Sequence, residues 1–167
     1  MIERTSDLYL KPAAKMSIKT IPSISLIPNE IKRKNSLSKI IPDMSPIQKF
    51  FDNKISSSKL IYRASEEAFS IKEFHKKCDG QVNTLVLIHT EYGKIIGGYT
   101  PLIWSSAKKQ WAADKSYKSF IFSVSTREKF NLNLAQFAIA NNPDKGPIFG
   151  CCDICLVDRG NKERCNA

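Results

Sequence analysis

Asn83 to Thr100 constrains this chain more than any other stretch, because two strand-length segments there flank a turn. Asn83–Thr90 is built on Leu85-Val86-Leu87-Ile88, and Lys94–Thr100 on Ile95-Ile96-Gly97-Gly98. Tyr92-Gly93 lies between them with a residue that tolerates positive φ, so the pair reads as an antiparallel hairpin. Gly97-Gly98 lets the second strand bend, or accept close packing where a side chain would clash.

Further strand signals surround the hairpin. Leu60–Ala64 is strand-like, and Tyr117–Ser125 alternates Phe120, Phe122 and Val124 on one side. Phe137–Ala140 and Asp153–Val157 read as two more short strands, and Pro101–Lys115 as a loop carrying Trp104 and Trp111. Helices are few. Ser70-Ile71-Lys72-Glu73 is a capping box opening a helix that runs to Cys78, with Phe69, Phe74 and Cys78 as its buried contacts. Asp79-Gly80 ends it. Ser45-Pro46 is a second helix start, and Ile47, Phe50, Phe51 and Ile55 then fall on one face at helical spacing, until Ser56-Ser57-Ser58 closes the segment. Many strands with turn-length gaps predict an α+β chain: an antiparallel two-sheet β-sandwich with flanking short helices.

Residues 1–44 have a different grammar. Pro12, Pro22, Pro28 and Pro42 each remove a backbone donor and push the preceding residue toward extended geometry, so no long helix is expected there. Short apolar beads at Ile18, Ile21, Ile24, Leu26-Ile27 and Ile40-Ile41 alternate with basic and hydroxyl residues. Such composition suits a disordered tail, or a peptide lying along a partner. The expected organisation is an extended basic arm (1–44), a docking helix and linker (45–59) and a β-rich domain (60–167).

Charge sharpens the contrast. The formal net charge is +10, and the first 59 residues hold eleven Lys/Arg against five Asp/Glu. A basic excess of this kind calls for an acidic partner surface, whether nucleic acid, anionic lipid or acidic protein. Lys11, Lys15, Lys19, Lys32, Arg33, Lys34 and Lys39 are the candidate partner-binding residues. The Lys32-Arg33-Lys34 cluster lacks interleaved aromatics, a zinc knuckle or a recognition helix, which argues against nucleic acid. No apolar run approaches the ~18 residues that a membrane span requires. Met1–Ala14 carries Glu3 and Asp7 and makes a poor secretory signal or mitochondrial presequence, so reduced thiols in a cytosolic compartment are expected.

With those segments in order, the chain resembles a TLDc domain. The resemblance is carried by Ile61-Tyr62-Arg63-Ala64-Ser65, Phe69 and Phe74-His75-Lys76-Lys77-Cys78-Asp79-Gly80. It continues through Thr84-Leu85-Val86-Leu87-Ile88, Ile96-Gly97-Gly98-Tyr99-Thr100, Trp104-Ser105-Ser106, Phe120-Ile121-Phe122-Ser123 and Gly146-Pro147-Ile148-Phe149-Gly150. The resemblance implies a two-sheet β-sandwich flanked by helices, associated with oxidation resistance and with binding the vacuolar proton ATPase. Trp104 is expected to plug one end of the core, and Arg63 to have its charge satisfied across the sheet. Gly150-Cys151-Cys152-Asp153 departs from the family's glycine-rich run followed by His-Asp. The family also continues through further strands beyond the point matching Ala167. The domain is therefore expected either to lack them, or to be completed by a partner's strand or by its own arm.

Catalytic chemistry finds little support. Cys152-x-x-Cys155 has metal-ligand spacing, with Cys151, Cys165 and the His75-x-x-Cys78 pair as further donors. If Cys152 and Cys155 share a strand, their odd separation points them to opposite faces and disfavours chelation. His75 and Cys78 are three apart on one helical face, yet no orienting group or oxyanion hole accompanies them. Gly97-Gly98-Tyr99 lacks the spacing and trailing Lys-Ser/Thr of a phosphate loop. No catalytic residue, cofactor or metal is expected. The sequence reads as a non-catalytic structural or adaptor protein that docks on a large acidic assembly such as a tubulin-like lattice, and would then sit in the cytoplasm, at the cytoskeleton or in a cilium. The alternatives are a regulator of the proton ATPase or of oxidative-stress resistance, and a thiol redox protein acting through Cys151-Cys152.

Overall fold

A computed structural model describes residues 45–53, 55–132 and 134–157, together with the backbone of 15–20. In chain order the elements are β1 (Lys15–Thr20), α1 (Ser45–Gln48), β2 (Lys59–Arg63), α2 (Ile71–Cys78), β3 (Thr84–His89), β4 (Ile95–Thr100), β5 (Gln110–Ala112), β6 (Phe120–Ser123), β7 (Glu128–Asn131), β8 (Ile139–Asn141), β9 (Ile148–Phe149) and β10 (Ile154–Cys155). They form two antiparallel sheets, one of six strands in the order β2-β1-β3-β4-β6-β7 and one of four in the order β10-β9-β8-β5. The expected two-sheet architecture with few short helices is what is found.

The hairpin forms as its residues dictate. Six residue pairs join β3 to β4, from Thr84↔Thr100 to His89↔Ile95, and Gly93 takes φ +72° at the turn. Thr84–Ile88 are all buried, so β3 is covered on both faces and explains why its sequence is a continuous apolar run. The capping box is realised on its first half: Ser70 Oγ accepts from the Glu73 amide, and Gly80 follows the helix at φ +79°.

Each face of the larger sheet has its own apolar layer. On the sandwich side Tyr62, Phe74, Val86, Ile88, Trp104, Ile139, Phe149 and Ile154 cluster. Trp104 is buried at the junction, its ring edge-on to Phe74 at 6.0 Å and to Phe149 at 5.5 Å, and its Nε1–H donates to Thr84 Oγ1 at 2.7 Å. That is the plug expected of it. On the outer side Leu85, Leu87, Phe120 and Phe122 pack against Ile47 and Phe50. The docking segment is therefore in place, although its helical part is one turn, Ser45–Gln48. Beyond that turn Gln48 holds the chain instead, donating from Nε2 to Asn53 O at 3.0 Å and accepting at Oε1 from the Ile55 amide at 2.7 Å.

Several sequence expectations need correction. The stretch 101–115 is more than a loop, since β5 lies inside it. Residue 137 closes a 3-10 turn (Ala135–Phe137), so the following strand begins at Ile139. The last strand shrinks to Ile154–Cys155. Arg63 finds its carboxylate locally rather than across the sheet, with Nε 3.4 Å from Oε1 of Glu66, three residues on.

Among the described residues, the arm enters the fold at residues 15–20. β1 lies between β2 and β3 and pairs antiparallel with both: Ile18 stands opposite Val86 on one side and Tyr62 on the other. Residues 15–20 of the arm are thus a strand of the larger sheet. The rest of 1–44 lies outside the described residues.

Candidate partner-binding surface

Each sheet ends in an edge strand. β7 closes one side of the six-stranded sheet and β5 closes one side of the four-stranded sheet. The Asp114 amide donates to Ala135 O at 2.8 Å, and the Trp111 and Phe137 rings meet edge-on at 5.4 Å, which ties β5 and the residues after it to the 3-10 turn that follows β7. Among the described residues neither edge carries a further strand, so both present backbone donors and acceptors outward.

Seven large hydrophobic residues are exposed among the described residues, and four of them lie on β5 or β7 or in the segments that follow these strands: Trp111 (38%), Tyr117 (67%), Phe130 (50%) and Leu134 (54%). Lys108, Lys115, Lys118 and Arg127 are exposed in the neighbouring turns, so the surface is both apolar and basic. Lys129 belongs to the scaffold: its Nζ donates to Phe50 O at 2.9 Å and lies 4.4 Å from the centroid of the Phe120 ring.

Asp114 shapes the loop that displays Tyr117. Its buried carboxylate accepts from the Ser116 amide (2.9 Å), the Lys118 amide (3.0 Å) and the Ser119 amide (2.7 Å), and from Ser116 Oγ. Burial works to raise its pKa, but the hydrogen bonds from Ser116 and Ser119 outweigh it and hold the carboxyl below the usual aspartate range. Tyr117 sits at the tip of this loop at φ +55°. The sequence signals neither β7 nor the role of Asp114: β7 is exposed at all four positions and so has no burial alternation to recognise, and Asp114 looks like any loop aspartate.

The arm residues are distributed differently. Lys15 and Lys19 lie in β1, where Lys15 stands opposite His89 and Lys19 opposite Leu85. Lys11, Lys32, Arg33, Lys34 and Lys39 lie outside the described residues.

The residues considered for chemistry are turned to structural use. His75 is buried, and its Nε2 donates to Asn142 O at 2.9 Å and Lys145 O at 3.0 Å. Its Nδ1 lies 2.8 Å from Asp79 Oδ1, and Asp79 Oδ2 accepts from the Ser106 amide at 2.7 Å. The imidazole therefore ties α2 to the turn at 142–145, Asp79 ties the helix end to Ser106, and the partner of His75 is Asp79 rather than Cys78. Cys78 is fully buried; burial, with Asp79 alongside, pushes its pKa far above the ordinary thiol value and keeps it protonated. Cys152 lies in a turn at φ +67°, so only Cys155 of the Cys-x-x-Cys pair is in a strand. Among the described residues no group of three or more His, Cys, Asp or Glu side chains is placed to hold a metal ion. An open depression of roughly 740 Å³ beside α2 is lined by Lys72, His75, Lys76, Asp79, Ser106 and Asp144, and the His75–Asp79–Ser106 contacts form part of its wall.

The family comparison gives the class to which this two-sheet domain belongs. The model of the TLDc domain matches residues 29–165, and the chain belongs to that family. No curated protein and no solved structure matches it. Among the described residues no helix is long and apolar enough to cross a membrane.

Proposed function

We propose that this chain is a non-catalytic interaction module that docks on a large acidic protein assembly through its edge strands β5 and β7 and its basic arm. The observation that carries this reading is that β5, β7 and the segments next to them in the chain combine two sheet edges, four exposed large hydrophobic residues and a set of exposed cations. Open edges accept strands, apolar anchors supply affinity, and cations steer the surface toward acidic partners. The excess of basic residues in the arm acts in the same direction. An acidic, repetitive lattice of tubulin type, such as a ciliary microtubule, meets these requirements and would place the protein at the cytoskeleton. Family membership favours a second reading, a regulator that binds the vacuolar proton ATPase or supports oxidative-stress resistance.

A native pull-down analysed by mass spectrometry separates these readings. The bait should be the tagged full chain, compared with a variant in which Lys11, Lys32, Arg33, Lys34 and Lys39 become glutamate. This preserves β1, which deletion of the arm would remove. Recovery of one acidic assembly by the full chain, and its loss with the charge-reversed variant, supports the docking reading. Recovery of the proton ATPase by both baits favours the regulator. Retention of the acidic assembly by the charge-reversed chain would remove the arm from the proposal.

A further inference from the structure

Tyr117 combines two properties that seldom meet in a bulky residue. Its backbone lies in the left-handed region at φ +55°, and it is 67% exposed. A large side chain at positive φ is strained, and such strain persists only where the surrounding structure over-determines it. Phe69 is the other aromatic residue at positive φ among the described residues, at +59°. Packing of Phe69 against the sandwich core accounts for its position. Tyr117 is turned to water instead.

The chain around Tyr117 fixes its conformation. Its amide donates to Asp114 O at 3.1 Å, closing a tight turn. Asp114 gathers the amides of Ser116, Lys118 and Ser119 onto one buried carboxylate, so the backbone is bonded on both sides of the strained residue. Glycine or asparagine would take this position with less steric penalty. The fold therefore holds a costly side chain where it contributes little burial.

The same tip has a definite charge. Lys115 and Lys118 are exposed on either side of Tyr117 in the chain, and among the described residues neither enters an ion pair. The one acid of the loop, Asp114, is buried and turned to the loop's own amides, and the Ser116 hydroxyl donates to it as well. Residues 115–118 thus display two ammonium groups, a phenol and no carboxylate. Ammonium and phenolic groups donate to carboxylates, and a tyrosine ring adds apolar contact at low entropic cost. A loop already held in shape loses less freedom on binding than a mobile one. Single-stranded nucleic acid is bound by several rings in succession along a basic groove, whereas this loop offers one ring between two lysines. We infer that residues 114–119 form a preformed docking tip, on which Tyr117, set between Lys115 and Lys118, receives an acidic segment of a partner protein. The inference rests on the docking function proposed above and names an anchor within it.

The test uses the full chain with Lys11, Lys32, Arg33, Lys34 and Lys39 changed to glutamine, so that the arm does not compete for the probe. The probe is a short fluorescein-labelled polyglutamate peptide, read by anisotropy. Tyr117→Gly should weaken its binding about fivefold or more, the scale of an interface anchor. The thermal midpoint of that variant should be no lower than before, because glycine adopts φ +55° without strain. Lys115→Gln with Lys118→Gln should weaken binding to a similar extent and flatten its salt dependence. A peptide that binds neither chain, or binds Tyr117→Gly as well as its parent, would overturn the inference. So would a markedly lower midpoint in Tyr117→Gly, which would assign the ring to the fold, or tighter binding of oligothymidylate than of the peptide. A native pull-down with wild type and Tyr117→Gly separates the tip from the docking function itself. Recovery of an acidic assembly by wild type, and its loss with Tyr117→Gly, supports both. Equal recovery by the two chains removes the tip alone, and recovery by neither removes the docking function with it.

Discussion

Gly98 lies against the ring of Phe149: a Cβ at position 98 would stand 2.8 Å from both Cε2 and Cζ of that ring. The two sheets approach one another here because β4 has no side chain to interpose. Gly97 is tighter still on the opposite face, where a Cβ would meet the Val86 carbonyl oxygen at 2.1 Å and Phe122 Cζ at 2.7 Å.

Both glycines are therefore packing requirements. Gly98→Ala should cost about 1–3 kcal/mol, the usual range for overpacking a core. Gly97→Ala should cost more, since its nearest obstacle is backbone that cannot rotate away. Phe149→Leu should recover part of the loss in Gly98→Ala and none in Gly97→Ala. Urea denaturation of the two double-mutant cycles measures both statements.

Asp114 should make a pH-dependent contribution to stability. Its folded pKa is depressed, so the stabilisation is present in full above the unfolded value of about 3.9 and disappears as pH falls from there through the folded value. Asp114→Asn should lose about 1–3 kcal/mol at neutral pH, the usual scale for buried hydrogen bonds left unmade. Thermal melts of wild type and variant should begin to converge as pH falls below about 4 and come together only below the folded value.

The thiols should separate sharply by reactivity. Cys151 is exposed, whereas Cys78 is buried and held as the neutral thiol. Iodoacetamide at neutral pH should alkylate Cys151 within minutes and leave Cys78 unmodified until the chain unfolds, as peptide mass spectrometry would reveal. Rapid labelling of Cys78 in the folded chain would contradict its burial. Retention of partner binding by Cys151→Ser and Cys152→Ser together would count against the thiol redox alternative.

β7 and the segment after it make their own prediction. Phe130→Ser and Leu134→Ser replace side chains that are at least half exposed, so each should leave the thermal midpoint nearly unchanged. If this edge is part of the docking surface, each should reduce partner recovery severalfold. Tyr117→Ser tests the displayed loop in the same way.

Local chemistry made part of this protein legible in its sequence. The Tyr92-Gly93 turn, the Ser70 cap, the Gly80 stop and the alternation of Phe120 with Phe122 each involve neighbours a few residues apart, and each appears where those residues place it. The order of motifs from Ile61 to Gly150 carried the family for the same reason. Tertiary structure decided what depends on distant partners. β9 is two residues long and β5 three, too short for any period to appear, and they exist as strands because β8 lies beside both. His75 takes its role from carbonyls 67 and 70 residues away. Lys15–Thr20, set among prolines and lysines, has no local reason to be an internal strand. Its place comes from the unsatisfied backbone edges of β2 and β3, which only the folded sheet creates.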